Sequence, residues 1–581
     1  MGFTKLTSCN LFFVLVGFSQ VLYASNASKP NVLIVLIDDA GYGDFGCTGH
    51  PFLKTPNIDK LHDESVRLTD FHVAPMCTPT RGQLLTGQDA LRNAAASVTA
   101  GRAVLRPGIP TLPELLAKEG WATGIFGKWH LGDSYPHRPM DKGFKTSVWM
   151  KGWGFTSAPE FSNTLFDGHC LRGSQQTRFP GYITDFCFDE AMKWMGEQSR
   201  NEAPFFCYLP LHAAHSPYVV PDKFSAPFAG EKAPKFFGML SNIDENMGRL
   251  NDFLVTSNLH ENTIVVFMTD NGGTAGVPVF NAGLRGHKTE YYDGGHRVPC
   301  LIKWPAGNLR PRGVSIPTHV QDLMPTLLEI CGNSKELLIA KEKMDGVSLL
   351  KLLRDDSPIE DRMLVVQYGA SPPHPDDPKK WRSCVVWDQW RLVHGEELYE
   401  TKSDRSQQVN VAGKYPEIVS KMRTHYEEWW AGIEPHLGDF VPMTIGADQE
   451  NPVGLTSSDW QDVYADNSGH IRNGAGGPRG GPWNVDVERE GEYEIRLRRW
   501  PFDLNTPLDG NVTPLGKVLP IAAASLKIGS IEKQVKTALG SQEAVFVLNL
   551  PAGRTQLQAW FQDAKGDDLC GAYFASVYRK P

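Results

Sequence analysis

The sequence predicts an α/β chain in three parts: a doubly wound mixed sheet, a small α+β subdomain, and an all-β, sandwich-like unit at the C-terminus. Three observations carry this reading. Two continuous β-branched runs, residues 31–37 and 262–268, have the composition of strands buried on both faces of a parallel sheet. Amphipathic helical patterns lie between them, which gives the strand–helix alternation of an α/β fold. After Gly438 the texture changes to glycine-dense sequence and then to period-two alternation, the pattern of an antiparallel sandwich or jelly roll.

Taken in chain order, residues 1–27 have the form of an export signal. Lys5 supplies a weak positive start and residues 11–18 a short apolar core, with cleavage expected after Ala24 or Ala27. The apolar run falls well short of the roughly 20 residues that span a bilayer. The mature chain is therefore expected in the periplasm or outside the cell, with no membrane span. The α/β domain is expected over 28–363. Within it, residues 111–120 carry a cap-like Thr111, an early Pro113 and a closing Gly120, and residues 237–255 place Leu240, Ile243, Met247, Leu250 and Leu254 on one face. A small subdomain follows over 364–437, with short strands near 364–368, 383–387 and 390–393 and a helix near 416–430. The all-β accessory unit is expected over 450–581, with strands near 493–498, 544–548 and 557–561.

The chain has 581 residues, of which 41% are hydrophobic and 21% charged, with a formal net charge of -8. An acidic balance of this kind lacks the clustered basic face of a nucleic-acid binder. Ten cysteines in so long a chain are not a disulfide framework, and most have the character of small buried hydrophobes.

Both apolar runs end in carboxylates. Ligands in open α/β sheets sit beyond the carboxyl ends of the strands, so Asp38, Asp39, Asp270 and Asn271 are expected to converge at one edge. Three carboxylates and an amide are hard oxygen donors, suited to one Ca2+ ion, with Mg2+ as the lesser alternative, and unsuited to zinc. Between the runs stands Cys77-Thr78-Pro79-Thr80-Arg81, followed by Leu85-Thr86-Gly87. Cys77 is a candidate nucleophile with a neighbouring cation, Arg81, to lower its pKa.

Cys-x-Pro-x-Arg followed by Leu-Thr-Gly resembles the signature of the type I sulfatases, a family of the alkaline phosphatase superfamily. Asp38-Asp39-Ala40-Gly41-Tyr42-Gly43 is similar to that family's first metal motif, and Thr269-Asp270-Asn271-Gly272 to its second. Gly127-Lys128-Trp129-His130-Leu131-Gly132 resembles a third motif, His215-Ser216-Pro217 a fourth, and residues 284–299 the segment with the family's substrate lysine, Lys288. The resemblance covers about residues 30–435. It implies an α/β fold of the alkaline phosphatase and sulfatase type and a formylglycine made from Cys77 by a maturation enzyme. It also implies a Ca2+ held by Asp38, Asp39, Asp270, Asn271 and the modified Cys77. Lys128 and Lys288 would then clamp sulfate oxygens, and Arg81 would orient residue 77. His215, with Lys288, would give a proton to the leaving oxygen, and His130 would act as the base that releases sulfate. His287 and Asp293 depart from the family's Gly and Glu and are expected to alter the pocket.

The substrate class this implies is a sulfated small molecule or carbohydrate. One rival is a phosphate or phosphonate monoester hydrolase on the same fold, whose second metal site would need histidines that this sequence lacks. Another is a non-catalytic glycan-binding relic, which the full set from Asp38 to Lys288 disfavours. The composition break near Gly438 predicts a tail that is dispensable for chemistry on a small aryl sulfate but not on a polymer.

Overall fold

The run 31–37 forms the central strand of a large sheet, because every second residue can be buried against a different layer of helices. The computed structural model describes residues 1–2, 29–332, 334–369, 378–511 and 516–581. The expected export segment lies almost wholly outside the described residues.

Among these, eleven strands make the large sheet: β1 (Asn31–Ile37), β2 (Val66–His72), β3 (Ala122–Lys128), β4 (Thr146–Met150), β5 (His169–Arg172), β6 (Gln175–Arg178), β7 (Phe205–Pro210), β8 (Thr263–Thr269), β9 (Arg297–Lys303), β10 (Arg312–Val314) and β11 (Thr318–His319). Their order is β10-β2-β9-β8-β1-β7-β3-β4-β5-β6, with β11 beside β2. Strands β8, β1, β7, β3 and β4 run parallel, while β9 joins β8 and β2 antiparallel. The sheet is thus mixed, with a parallel centre.

Leu33, Val35 and Ile37 of β1 enter one apolar core, with Phe237, Leu240, Ile243, Met247, Leu250 and Leu254 of the helix Pro234–Thr256. Val32, Ile34 and Leu36 enter another core, with Leu84 and Leu85 of the helix Cys77–Thr86 and Leu112, Leu115 and Leu116 of the helix Leu112–Lys118. Residues 32–37 are fully buried. Each large aliphatic side chain contributes about 1.5–3 kcal/mol on burial, which fixes both the register of β1 and the place where it ends. Thr111 and Glu114 close the expected capping box at the start of Leu112–Lys118.

The small subdomain is a four-stranded antiparallel sheet, β12 (Leu364–Val366), β13 (Cys384–Trp387), β14 (Trp390–Val393) and β15 (Glu397–Glu400), closed by the helix Pro416–Ile433. The polar stretch of β15 gave no strand signal in the sequence. A buried ion cluster ties this sheet to the large one. Arg391 on β14 donates to both oxygens of Asp70 on β2 at 2.8 and 2.9 Å and to Asp293 Oδ1 at 2.9 Å.

The C-terminal region holds two facing sheets. One contains β16 (Met443–Ile445), β18 (Trp483–Val487), β20 (Ala523–Ile528), β21 (Ile531–Lys536), β23 (Gly553–Gln562) and β24 (Asp568–Gly571). The other contains β17 (Val453–Thr456), β19 (Gly491–Arg498), β22 (Ala544–Leu550) and β25 (Phe574–Arg579). Alternate residues of both sheets fill one core around Trp460, Trp483 and Trp500. That core also contains Val104, Ala158 and Phe161, which belong to the α/β region. The sandwich therefore shares apolar packing with loops of the α/β region.

Among the described residues, nine cysteines are unpaired and eight of these are buried. No helix among the described residues is long and apolar enough to cross a membrane.

Candidate active site

The carboxyl ends of β1 and β8 are stitched together. Asp270 N donates to the Ile37 carbonyl at 3.0 Å, and Asp39 N donates to Asp270 Oδ1 at 3.2 Å. Asp39 takes a left-handed backbone conformation, φ 58°, and so turns sharply out of the strand line. Asn271 Nδ2 donates to Asp39 Oδ1 at 3.0 Å. The four residues expected to meet do meet, and all are buried. A Cβ on Gly272 would run into the Gly294 carbonyl, so glycine there lets the segment carrying Lys288 lie against the exit of β8.

Cys77 opens the fully buried helix Cys77–Thr86. Arg81 stands one turn later on the same face. Its guanidinium donates to Asp270 Oδ2 at 2.8 and 3.2 Å, to Asp38 Oδ2 at 3.2 Å and to the Lys128 carbonyl at 3.0 Å. Arg81 thus braces the carboxylates beneath residue 77.

Lys128 ends β3 and its ammonium bonds Asp38; Lys288 bonds Asp39. Gly127 has φ 138°, and a side chain there would strike the Pro210 carbonyl of neighbouring β7. Burial opposes the charge on Lys288, but Asp39, Cys77 and Asp38 together outweigh it and the pKa rises. Burial also opposes the charge on Asp38, and Lys128 with His215 and Arg81 holds its carboxyl well below the usual range. Asp270 is pushed up to about 6 by burial and by the Asp38 charge beside it.

His130 has its Nδ1 3.5 Å from Cys77 Sγ and its Nε2 3.1 Å from the Val98 carbonyl. A carbonyl only accepts, so Nε2 carries the proton and the Nδ1 lone pair faces residue 77. Burial and the Lys128 charge drive the His130 pKa well down, which keeps the ring neutral. His215 donates from Nδ1 to the Ser216 carbonyl at 2.6 Å, leaving Nε2 toward Asp39 Oδ2 at 3.7 Å. Burial pushes the Cys77 thiol up despite Lys128 and Lys288 nearby. An unmodified thiol held this way is a poor nucleophile.

The donor set fits a hard cation. Asp38, Cys77 and Asp270 each offer a ligand atom within 4.8 Å of one another. Two buried oxygens at the centre, Asp38 Oδ1 and Asn271 Oδ1, have no hydrogen-bond partner. Three carboxylates and these free oxygens are the ligands that calcium or magnesium takes.

The two departures differ in placement. His287 is half exposed, with its Nδ1 on the Lys288 carbonyl at 2.7 Å. Asp293 is fully buried, 2.9 Å from Arg391 and 3.3 Å from Arg297. It therefore joins the two sheets and does not face the pocket. The sequence reading missed the Val98 carbonyl, because a backbone acceptor has no residue signature. Trp153, whose ring centroid lies 5.6 Å from that of His215, was indistinguishable in sequence from a core aromatic.

The profile of the sulfatase family matches residues 30–333. Human N-acetylgalactosamine-6-sulfatase is 31% identical over 406 residues, which are 63% of this chain and 75% of that protein. Human arylsulfatase A is 31% identical over 363 residues, 56% of this chain and 68% of its own. Among solved structures, Ps i-CgsB in complex with k-i-k-neocarrahexaose superposes with a TM-score of 0.61 at 25% identity, covering 69% of this chain and 92% of the other.

Proposed function

The chain belongs to the sulfatase family and is a sulfuric ester hydrolase, and from this premise we propose that it works through a formylglycine made from Cys77 and one bound calcium ion. The observation that carries the reading is the meeting of Cys77, Asp38 and Asp270 within 4.8 Å of one another, with His130 Nδ1 3.5 Å from the sulfur. The buried, proton-retaining thiol supports conversion of Cys77, since an aldehyde hydrate supplies the oxygen nucleophile that the thiol does not. A maturation enzyme is then the required partner. Asp38, Asp39, Asp270 and Asn271, with residue 77, would hold the calcium, which draws charge from the sulfate oxygens.

The remaining work falls to side chains of the chain itself. Lys128 and Lys288 bind peripheral sulfate oxygens and offset their charge as the ester bond breaks. Their present carboxylate partners, Asp38 and Asp39, are the residues that turn to a cation. Arg81 keeps Asp38 and Asp270 fixed at the floor. His215, its Nδ1 proton given to the Ser216 carbonyl, turns Nε2 toward the leaving oxygen and takes up a second proton there to serve as the acid, with Lys288 beside Asp39 assisting. His130 Nδ1 takes a proton from residue 77 when sulfate departs. Burial of all these groups excludes bulk water from the reacting atoms.

The names of the relatives point to sulfated sugars and aryl sulfates, and the complexed neighbour to an oligosaccharide, so the proposed substrates are sulfated carbohydrates or aryl sulfates. The export form of residues 1–27 supports a site of action in the periplasm or outside the cell. A screen of defined sulfated sugars and aryl sulfates, read by free sulfate, tests the reading. Release from none of them, by protein with a fully converted residue 77, overturns it.

A further inference from the structure

The C-terminal sandwich lies outside residues 30–333, the part of the chain that carries the family match. Its contacts with the α/β region nevertheless include two loops that lie against His215 and His130. Asp466 is almost fully buried, and its Oδ2 accepts from Trp153 Nε1 at 2.9 Å. Its backbone carbonyl accepts from Ala158 N at 2.6 Å, and Ser468 N donates to the Thr156 carbonyl at 2.9 Å. A bridge between Ser157 and Asn467 completes the attachment of this loop. Trp153 packs its ring on His215, at 5.6 Å between centroids and 42° between planes.

The second loop carries Val98, whose carbonyl fixes the His130 tautomer. Just beyond Val98, Gly101 N donates to the Ser458 carbonyl at 3.4 Å, Asp462 N donates to the Ala100 carbonyl at 3.4 Å, and Arg102 pairs with Asp462 at 3.2 Å. Val104 then enters the apolar core of the sandwich. The sandwich segment from Ser458 to Ser468 therefore touches both loops, Asp466 holding the first through Trp153 and Asp462 the second through Ala100 and Arg102.

We propose that the C-terminal sandwich is a positioning element of the active site, and that Asp466 is its positioning residue: by holding Trp153 it fixes His215 against the leaving-group side of the bound ester. This inference rests on the role assigned to His215 above. Loosening Trp153 removes one wall of the His215 ring and leaves it held by the Nδ1 bond to the Ser216 carbonyl and by His212, while Lys128, Lys288 and residue 77 stay where they are. Esters whose leaving group needs a proton should suffer, and esters whose leaving group departs as a stable anion should not.

The test compares Asp466→Ala, Asp466→Asn and Trp153→Phe in the full-length, fully converted enzyme, on phenyl sulfate and 4-nitrophenyl sulfate. Asparagine keeps an oxygen for the indole N–H, and phenylalanine keeps a ring but loses the N–H. In Asp466→Ala and Trp153→Phe, kcat on phenyl sulfate is expected to fall about tenfold or more, as for a displaced general acid, with 4-nitrophenyl sulfate falling less than about threefold. Asp466→Asn should restore most of the phenyl sulfate rate. Equal losses on both esters in Trp153→Phe, or no loss on either, would overturn the inference. If Asp466→Ala fails to fold, Trp153→Phe still decides. A wild-type enzyme that releases sulfate from neither ester overturns the underlying function instead.

Discussion

The Cys77 sulfur lies 3.5 Å from His130 Nδ1, and the other nitrogen of that ring is committed to the Val98 carbonyl. This pairing gives the site a neutral imidazole with one available lone pair aimed at residue 77. Because burial keeps His130 neutral, the base is ready without a prior deprotonation.

Replacing His130 with alanine should leave substrate binding and the first displacement in place and slow sulfate release. Turnover is expected to fall by about 10²–10⁴, the usual worth of a positioned acid or base. Rapid-quench kinetics should then show a single burst of alcohol near one equivalent per chain. A variant that loses the burst together with the turnover would assign His130 to the first step.

Elemental analysis of active enzyme should find close to one calcium per chain. Asp38→Asn or Asp270→Asn should lower that content and the activity together, because each removes a carboxylate from an oxygen-only donor set. Calcium removed by chelation and then restored should bring activity back. Zinc as the sole metal of fully active protein would contradict the donor chemistry read from Asp38 Oδ1 and Asn271 Oδ1.

The Asp70–Arg391–Asp293 cluster should matter for stability more than for chemistry. Asp293→Ala leaves the fully buried Arg391 with one carboxylate partner in place of two. Breaking a buried pair in this way costs about 3–5 kcal/mol. Denaturant unfolding that shows a loss below about 1 kcal/mol would mean that solvent reaches Arg391.

Attachment of the sandwich should weaken as pH rises. Glu160, on the α/β side, is pushed up to about 7 by burial, and Asp459, on the sandwich side, to about 8 by burial and the nearby Asp133. Both pKa values lie above the ordinary carboxylate range, so the folded protein holds protons that the unfolded chain releases. Their contribution to stability is fully present below about pH 4 and is lost progressively as pH rises through 7–8. Calorimetry should therefore give a higher melting temperature near pH 5.5 than near pH 8.5, and Asp459→Asn should reduce that difference. A rise in melting temperature over the same interval would contradict the assignment.

What the sequence made legible follows from the physics of each element. The apolar runs of β1 and β8 announce themselves because strands buried on both faces need no alternation. Their ends are marked by Asp38 and Asp270, which such strands cannot carry inside. Cys77 and Arg81 were legible as a short motif, although the partners of Arg81 were not, since they lie 43 and 189 residues away. Strand β15 was hidden by its two glutamates. The link from Trp153 to Asp466 spans 313 residues and joins two regions of different composition. Nothing local in either segment points to the other. The same composition change that located the sandwich carried no sign of the core it shares with Val104, Ala158 and Phe161.

The most direct test of the central claim is the mass of the tryptic peptide covering residues 68–81 in active enzyme. Conversion of the Cys77 side chain to an aldehyde lowers that mass by about 18 Da relative to the thiol form. The fraction of converted peptide should rise in proportion to specific activity across preparations, and Cys77→Ala should show no turnover. Fully active enzyme carrying only the intact Cys77 thiol would contradict the mechanism.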